Sequence, residues 1–189
     1  MDESITTDDD EAILHATKHW LSRAVIGLNL CPFAKSVYMK KQIRYVVCRA
    51  TSDQDVLDDL EAELLHLAAT DPAKVDTTLL ITPWVLRDFA AYNDLLPRTE
   101  RILKRTRLRG VLQIATFHPD YQFSDSKPDD IENYTNRAPY PILHLLREAS
   151  IARAVAAFPD AATIYERNQE TMRGLGHAGW LQWMRSPSE

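Results

Sequence analysis

Among the residues able to do chemistry, Cys31 stands first. In Leu28-Asn29-Leu30-Cys31-Pro32-Phe33-Ala34-Lys35 the proline reads as the first position of a short helix, which sets the thiol at or beside its N-cap. Free N–H groups and the helix dipole there favour the thiolate, the reactive form, and Lys35 adds positive charge one turn on. The competing reading is a packed Cys31 acting as a small hydrophobe. Cys48, flanked by apolar neighbours in a predicted strand, reads as core. His118 opens His118-Pro119-Asp120-Tyr121 at a predicted strand end, where open α/β sheets bind ligands, and an imidazole there suits a base or an orienting group. Asn136-Arg137-Ala138-Pro139-Tyr140-Pro141 makes a rigid corner that offers a guanidinium to a carboxylate or phosphate, and Arg147 supplies a second. The leading expectation is an enzyme with Cys31 as nucleophile and His118 as its base. Asp120, Tyr121, Asn136, Arg137, Tyr140 and Arg147 would then surround a small anionic substrate. It requires no cofactor.

Two rivals use the same residues differently. His144 and Glu148 lie four apart in a predicted helix, and with His118 they make two imidazoles and a carboxylate, a set of metal ligands. A network bracing that helix uses the same groups without metal. The other rival is a binding or partner module without catalysis. In it the long loop and the Trp180–Trp183 tail form a docking surface, and Cys31 is simply packed. Glu166, Arg167 and Asn168 near the start of the last predicted helix read as ordinary solvent-facing polar groups or as groups reaching a ligand.

The elements that must position these groups are legible in part. Ile13, Ala16, Trp20, Ala24 and Leu28 recur at helical spacing, with a stop at Gly27. Residues 43–50 read as a strand. Ser52 or Asp53 caps a helix running to about Ala69, whose apolar stripe is Val56, Leu57, Leu60, Leu64 and Leu67. Residues 77–82 form a continuous apolar strand. Residues 84–92 and 98–107 read as helical, broken or kinked at Pro97, and Gly110 opens a strand over 111–117. Residues 118–138 hold at most a helical turn at 128–134, and such long connections are often functional. A helix follows over 141–157, stopped before Pro159, and another runs from Thr163 to about Arg173 and ends at Gly174 or Gly176. The pattern predicts an α/β (α+β-like) single domain over residues 1–189. Its small, mainly three-stranded sheet from β-α-β-α-β would be covered by helices, with extra helices at both ends and a disordered acidic stretch over 1–10.

Composition narrows the function classes. The 189 residues are 45% hydrophobic and 26% charged, which suits a globular core and excludes collagen-like or disordered chains. With 22 basic against 27 acidic residues, the charge of −5 disfavours nucleic acid as a partner. The basic run Arg98, Arg101, Lys104, Arg105, Arg107, Arg109 lacks interleaved aromatics and reads as a solvated helix face. No apolar run approaches a membrane span, and two cysteines make no disulfide scaffold, so a cytoplasmic setting is expected. Oligomeric state is left open.

Cys31-Pro32-Phe33-Ala34 followed by helix and strand is similar to the N-terminal corner of glutaredoxins and omega-class glutathione transferases, which would imply thiol chemistry with glutathione. Here a helix precedes the cysteine, and no second cysteine follows at the redox spacing. A broader resemblance rests on residues 27–35, 117–123, 133–141 (Asn-Tyr-Thr-Asn-Arg-Ala-Pro-Tyr-Pro) and 144–150, with Glu166-Arg167-Asn168 and the segment 174–180. Together these resemble a bacterial domain-of-unknown-function family, number 1415. The resemblance implies one cytosolic domain over nearly the whole chain and carries no catalytic assignment.

Overall fold

The computed structural model describes residues 7–157 and 163–185. The chain begins with α1 (Thr7–Trp20), which continues into a π-helical segment (Leu21–Ile26) rather than staying α-helical to Gly27. Residues 7–10 are helical, so the expected disorder over 1–10 is wrong for them; the rest of that stretch, and the stop at Pro159, lie outside the described residues. Next come α2 (Ala34–Met39), β1 (Ile43–Val47), α3 (Asp53–Ala69), β2 (Thr77–Ile81), α4 (Phe89–Arg105) and β3 (Leu112–Phe117). A 3-10 turn (Ile131–Thr135), β4 (Ile142–Arg147), α5 (Glu148–Ala157) and α6 (Ile164–Arg185) complete the order.

The sheet has four strands, not three, in the order β1-β2-β4-β3. β1 and β2 run parallel, and β4 lies antiparallel to both β2 and β3. The segment expected to start a helix at Pro141 is therefore a strand through Arg147, and its helix starts at Glu148. Both edges of Ile-Leu-His-Leu-Leu-Arg find ladder partners, which overrides the modest helical preference of leucine. α4 also departs from expectation. Residues 84–88 are not helical, Asp88 caps the helix by accepting from the Ala91 N–H at 2.8 Å, and Pro97 sits inside a continuous helix. Pro97 and Asn93, whose carbonyl the missing N–H would have met, are both exposed, so the proline lies on the solvent side of the helix, where losing that bond costs least.

Side chains alternate across the strands and define two layers. On one face Leu80, Leu143, Leu145 and Leu112 meet the stripe Val56, Leu57, Leu60, Leu64 and Leu67 of α3, together with Tyr92, Leu95 and Ile102 of α4. That stripe is the predicted one, and Ser52 caps it by accepting from the Asp55 N–H. On the other face Leu79, Ile81 and Ile142 pack with Trp20, Ala24 and Val25, and with Met172 and Trp180 of α6. Two helices bordering this second face, α2 and α5, contain no buried residue at all.

A candidate ligand cavity

The parity of β3 decides the fate of the expected catalytic pair. Phe117 points into the second face, where its ring meets Trp20 edge-on at 5.1 Å. His118, the next residue, therefore turns to the other side, where its ring lies 5.2 Å from both Phe89 and Tyr92. It is fully buried, its Nε2 donates to the Leu86 carbonyl at 3.0 Å, and its Nδ1 accepts from the Asp120 N–H at 3.0 Å. Burial holds its pKa below the usual histidine value. With both nitrogens committed and the sheet between it and Cys31, His118 is not the base of that thiol.

The expected substrate clamp is a brace. Arg137 donates to the carbonyls of Tyr121 and Pro128 and lies over the Tyr134 ring, 4.4 Å from its centre. Asn136 donates to the Thr116 carbonyl, Tyr121 packs between Phe89 and Phe123, and Tyr140 packs into the second hydrophobic layer. Asp120 is exposed, and of its groups the backbone N–H is the one that holds His118. The long loop is built around Asn133, a fully buried amide that accepts from the Phe123 N–H and Ser126 hydroxyl and donates to the Lys127 carbonyl.

The other expectations fare similarly. His144 lies on the second face and His118 on the first, while Glu148 starts α5. Among the described residues no group of three or more His, Cys, Asp or Glu side chains could hold a metal ion. The trio was drawn together by a helix that is in fact a strand. Nor does the tail stand free as a docking surface: Trp180 is buried against Tyr134 at 5.3 Å, Trp183 donates to the Arg23 carbonyl, and the Arg23 guanidinium covers the Trp183 ring. Asn168 reaches the Leu30 carbonyl at 2.8 Å and so fixes the corner that carries Cys31.

What the fold does bring together lies under α2 and α5. A cavity of about 740 Å³ opens over the second face of the sheet. Its floor is Thr77 and Leu79 of β2, His144 and Leu146 of β4, and Ala115 and Phe117 of β3. Trp20, Leu21, Val25 and Cys31 wall one side; Val37 of α2 and Ile151 and Ala154 of α5 wall the others. Small side chains at Ala34, Ala115, Ala154 and Ala157 leave the space that larger ones would fill.

Two groups of chemical interest line it, and both are uncharged. Burial pushes the Cys31 thiol up, against the downward pull of hydrogen bonds from the Phe33 and Ala34 backbone, so the expected thiolate is not favoured. α2 starts at Ala34, three residues beyond Cys31, and spans six residues, too short for a strong dipole. Burial also holds His144 down to a pKa of about 4, so its ring is neutral at pH 7. The Thr77 hydroxyl lies 2.6 Å from the Leu145 carbonyl and 2.7 Å from His144 Nε2. Its one proton must go to the carbonyl, which can only accept, so Nε2 carries the ring proton and donates to Thr77. Nδ1 keeps a free lone pair.

At the end where β2 starts and β4 finishes, the lining turns polar. Ser150 donates to Asp76 at 2.6 Å and receives Arg153 at 2.9 Å. Arg147 spends Nη2 on the carbonyls of Leu67, Thr70 and Val75 at the end of α3, where its charge meets the negative end of the helix dipole. Its Nε is buried without a hydrogen-bond partner, 4.0 Å from Asp76 Oδ1. Of the residues expected at a site, Cys31, His144 and Arg147 line this cavity, while Thr77, Phe117, Ser150 and Arg153 were missed. Strand alternation through Thr77–Leu79 and Ala115–Phe117 was the available signal, and it needed β4 in place to be read.

Fold and cavity together define a small mixed α/β domain with a ligand-sized hollow between a sheet and two thinly packed helices. The chain belongs to the family described as protein of unknown function (DUF1415), whose model matches residues 12–182. No curated protein and no solved structure matches it. No helix among the described residues is long and apolar enough to cross a membrane.

Proposed function

We propose that this domain binds a small, mainly apolar molecule in the cavity beneath α2 and α5. The observation that carries the reading is the unfinished layer on that face. α2 and α5 bury nothing completely, yet both turn apolar side chains toward an apolar floor. Helices of six and ten residues are marginal without packing, and a bound apolar body would supply the missing contacts. The volume falls within the ~300–1,000 Å³ usual for small-molecule sites, and one polar group in an apolar wall, here His144 Nδ1, is the usual means of orienting a ligand. A protonated Cys31 and a His118 turned away from it support binding over cysteine catalysis. Two free thiols and the acidic charge balance favour a cytoplasmic setting and a partner other than nucleic acid.

The test is displacement of an environment-sensitive apolar dye, such as an anilinonaphthalene sulfonate, from the folded protein and from Ala154→Trp. The indole would occupy the cavity from α5, so dye binding is expected in the parent and to weaken about tenfold or more in the variant. Absence of dye binding by the parent, or equal binding by a folded Ala154→Trp, overturns the reading.

A further inference from the structure

We infer that the occupant is an amphipathic anion, a carboxylate on an apolar body, with its head group at the end of the cavity framed by Lys40, Arg147 and Arg153. The inference rests on the cavity being a ligand site and goes on to fix the ligand's charge and direction. Charged lining groups there are the cations Lys40, Arg147 and Arg153 against one carboxylate, Asp76. Asp76 already accepts from Ser150 and lies 4.0 Å from the Arg147 guanidinium, so its charge is partly answered within the protein. Two cations remain in excess, beside walls of low polarity that strengthen their field.

Arg147 stands behind this end rather than in it: its Nη2 is spent on the carbonyls of Leu67, Thr70 and Val75, and its Nε is buried with no surface open to the cavity, so Lys40 and Arg153, both exposed, are the cations a head group can touch. The neighbouring amide of Gln42 is committed to the carbonyls of Pro72 and Ala73 and does not compete. A cationic head would face net repulsion, and an alcohol would gain one ordinary hydrogen bond. At the opposite end Trp20, Leu21, Val25 and Phe33 offer only apolar surface, which sets the direction in which the molecule lies.

Calorimetric titration of the full chain with decanoate, decanol and decylamine at pH 7.5, below their micellar concentrations, tests this. Decanoate is expected to bind at least about tenfold more tightly than the other two, and Lys40→Met/Arg153→Met, both exposed positions, to bring decanoate close to decanol. Decanol or decylamine binding as tightly as decanoate overturns the anionic head group while leaving the cavity reading intact. A preference that survives in the folded double variant overturns its placement at Lys40 and Arg153. Binding of none of the three, with no dye binding, removes the cavity reading itself.

Discussion

His144 shows how a change from helix to strand alters the meaning of a residue. Placed on a helix it would face Glu148 and serve a metal; placed on β4 it stands in the cavity floor, tied to Thr77 and neutral. Its folded pKa of about 4 lies below the ~6.5 of an unfolded histidine, so the unfolded chain takes up the proton first as pH falls. Stability from this group is fully present above about pH 6.5 and declines toward pH 4, by roughly 3 kcal/mol for a shift of this size. His118 is shifted in the same direction by burial. Urea unfolding at a series of pH values, for the parent and His144→Gln, isolates the His144 share. The difference between the two curves should slope across pH 6.5–4 and flatten above it; a flat difference across that window would refute the buried neutral ring.

At the scale of elements, α3 was readable because the information is local: a serine cap and a leucine stripe at helical spacing settle it without neighbours. β2 was readable for a similar reason, as a run of residues buried along its whole length. β4 was not. Ile142 to Arg147 flows into Glu-Ala-Ser-Ile-Ala-Arg with no helix-breaking residue between, and only pairing with strands some 30 and 65 positions earlier in the chain makes it extended. The cavity inherited that blindness, since its floor runs across β2, β4 and β3. Cys31, singled out by its place in the sequence, does line the cavity, while its charge state depended on burial that spacing does not encode.

The π-helical turn was equally hidden, yet it shapes the wall that carries Leu21 and Val25. Gly27 follows it directly, and a methyl group added there would sit 2.4 Å from the Arg23 carbonyl oxygen. Gly27→Ala should therefore destabilise the fold by about 1–3 kcal/mol, read as a lower urea midpoint with an unchanged slope. An unchanged midpoint would mean that the chain does not make this tight turn.

For the molecule as a whole, the two faces of the sheet are finished to different degrees. The α3–α4 face is closed by a continuous apolar layer, whereas the other has solid packing under α1 and α6 and a hollow under α2 and α5. Hydrogen exchange should report that division. Amides of α2 and α5 should exchange fastest among the helices of the free protein, and slow on saturation with decanoate, while those of α3 stay unchanged. At a ligand concentration one hundred times Kd, mass action adds about 2.7 kcal/mol to global stability. Protection spread evenly over all helices, or none in α2 and α5, would contradict an occupant lodged there.

The strand order has its own consequence for how the molecule is made. β4 is the last strand to leave the ribosome, yet it lies between β2 and β3. Before residues 142–147 are made, β1 and β2 have each other as parallel partners, whereas β3 has no strand to pair with. The hexapeptide that joins the two parts of the sheet and the helix α5 that walls the hollow are thus made one directly after the other, late in synthesis.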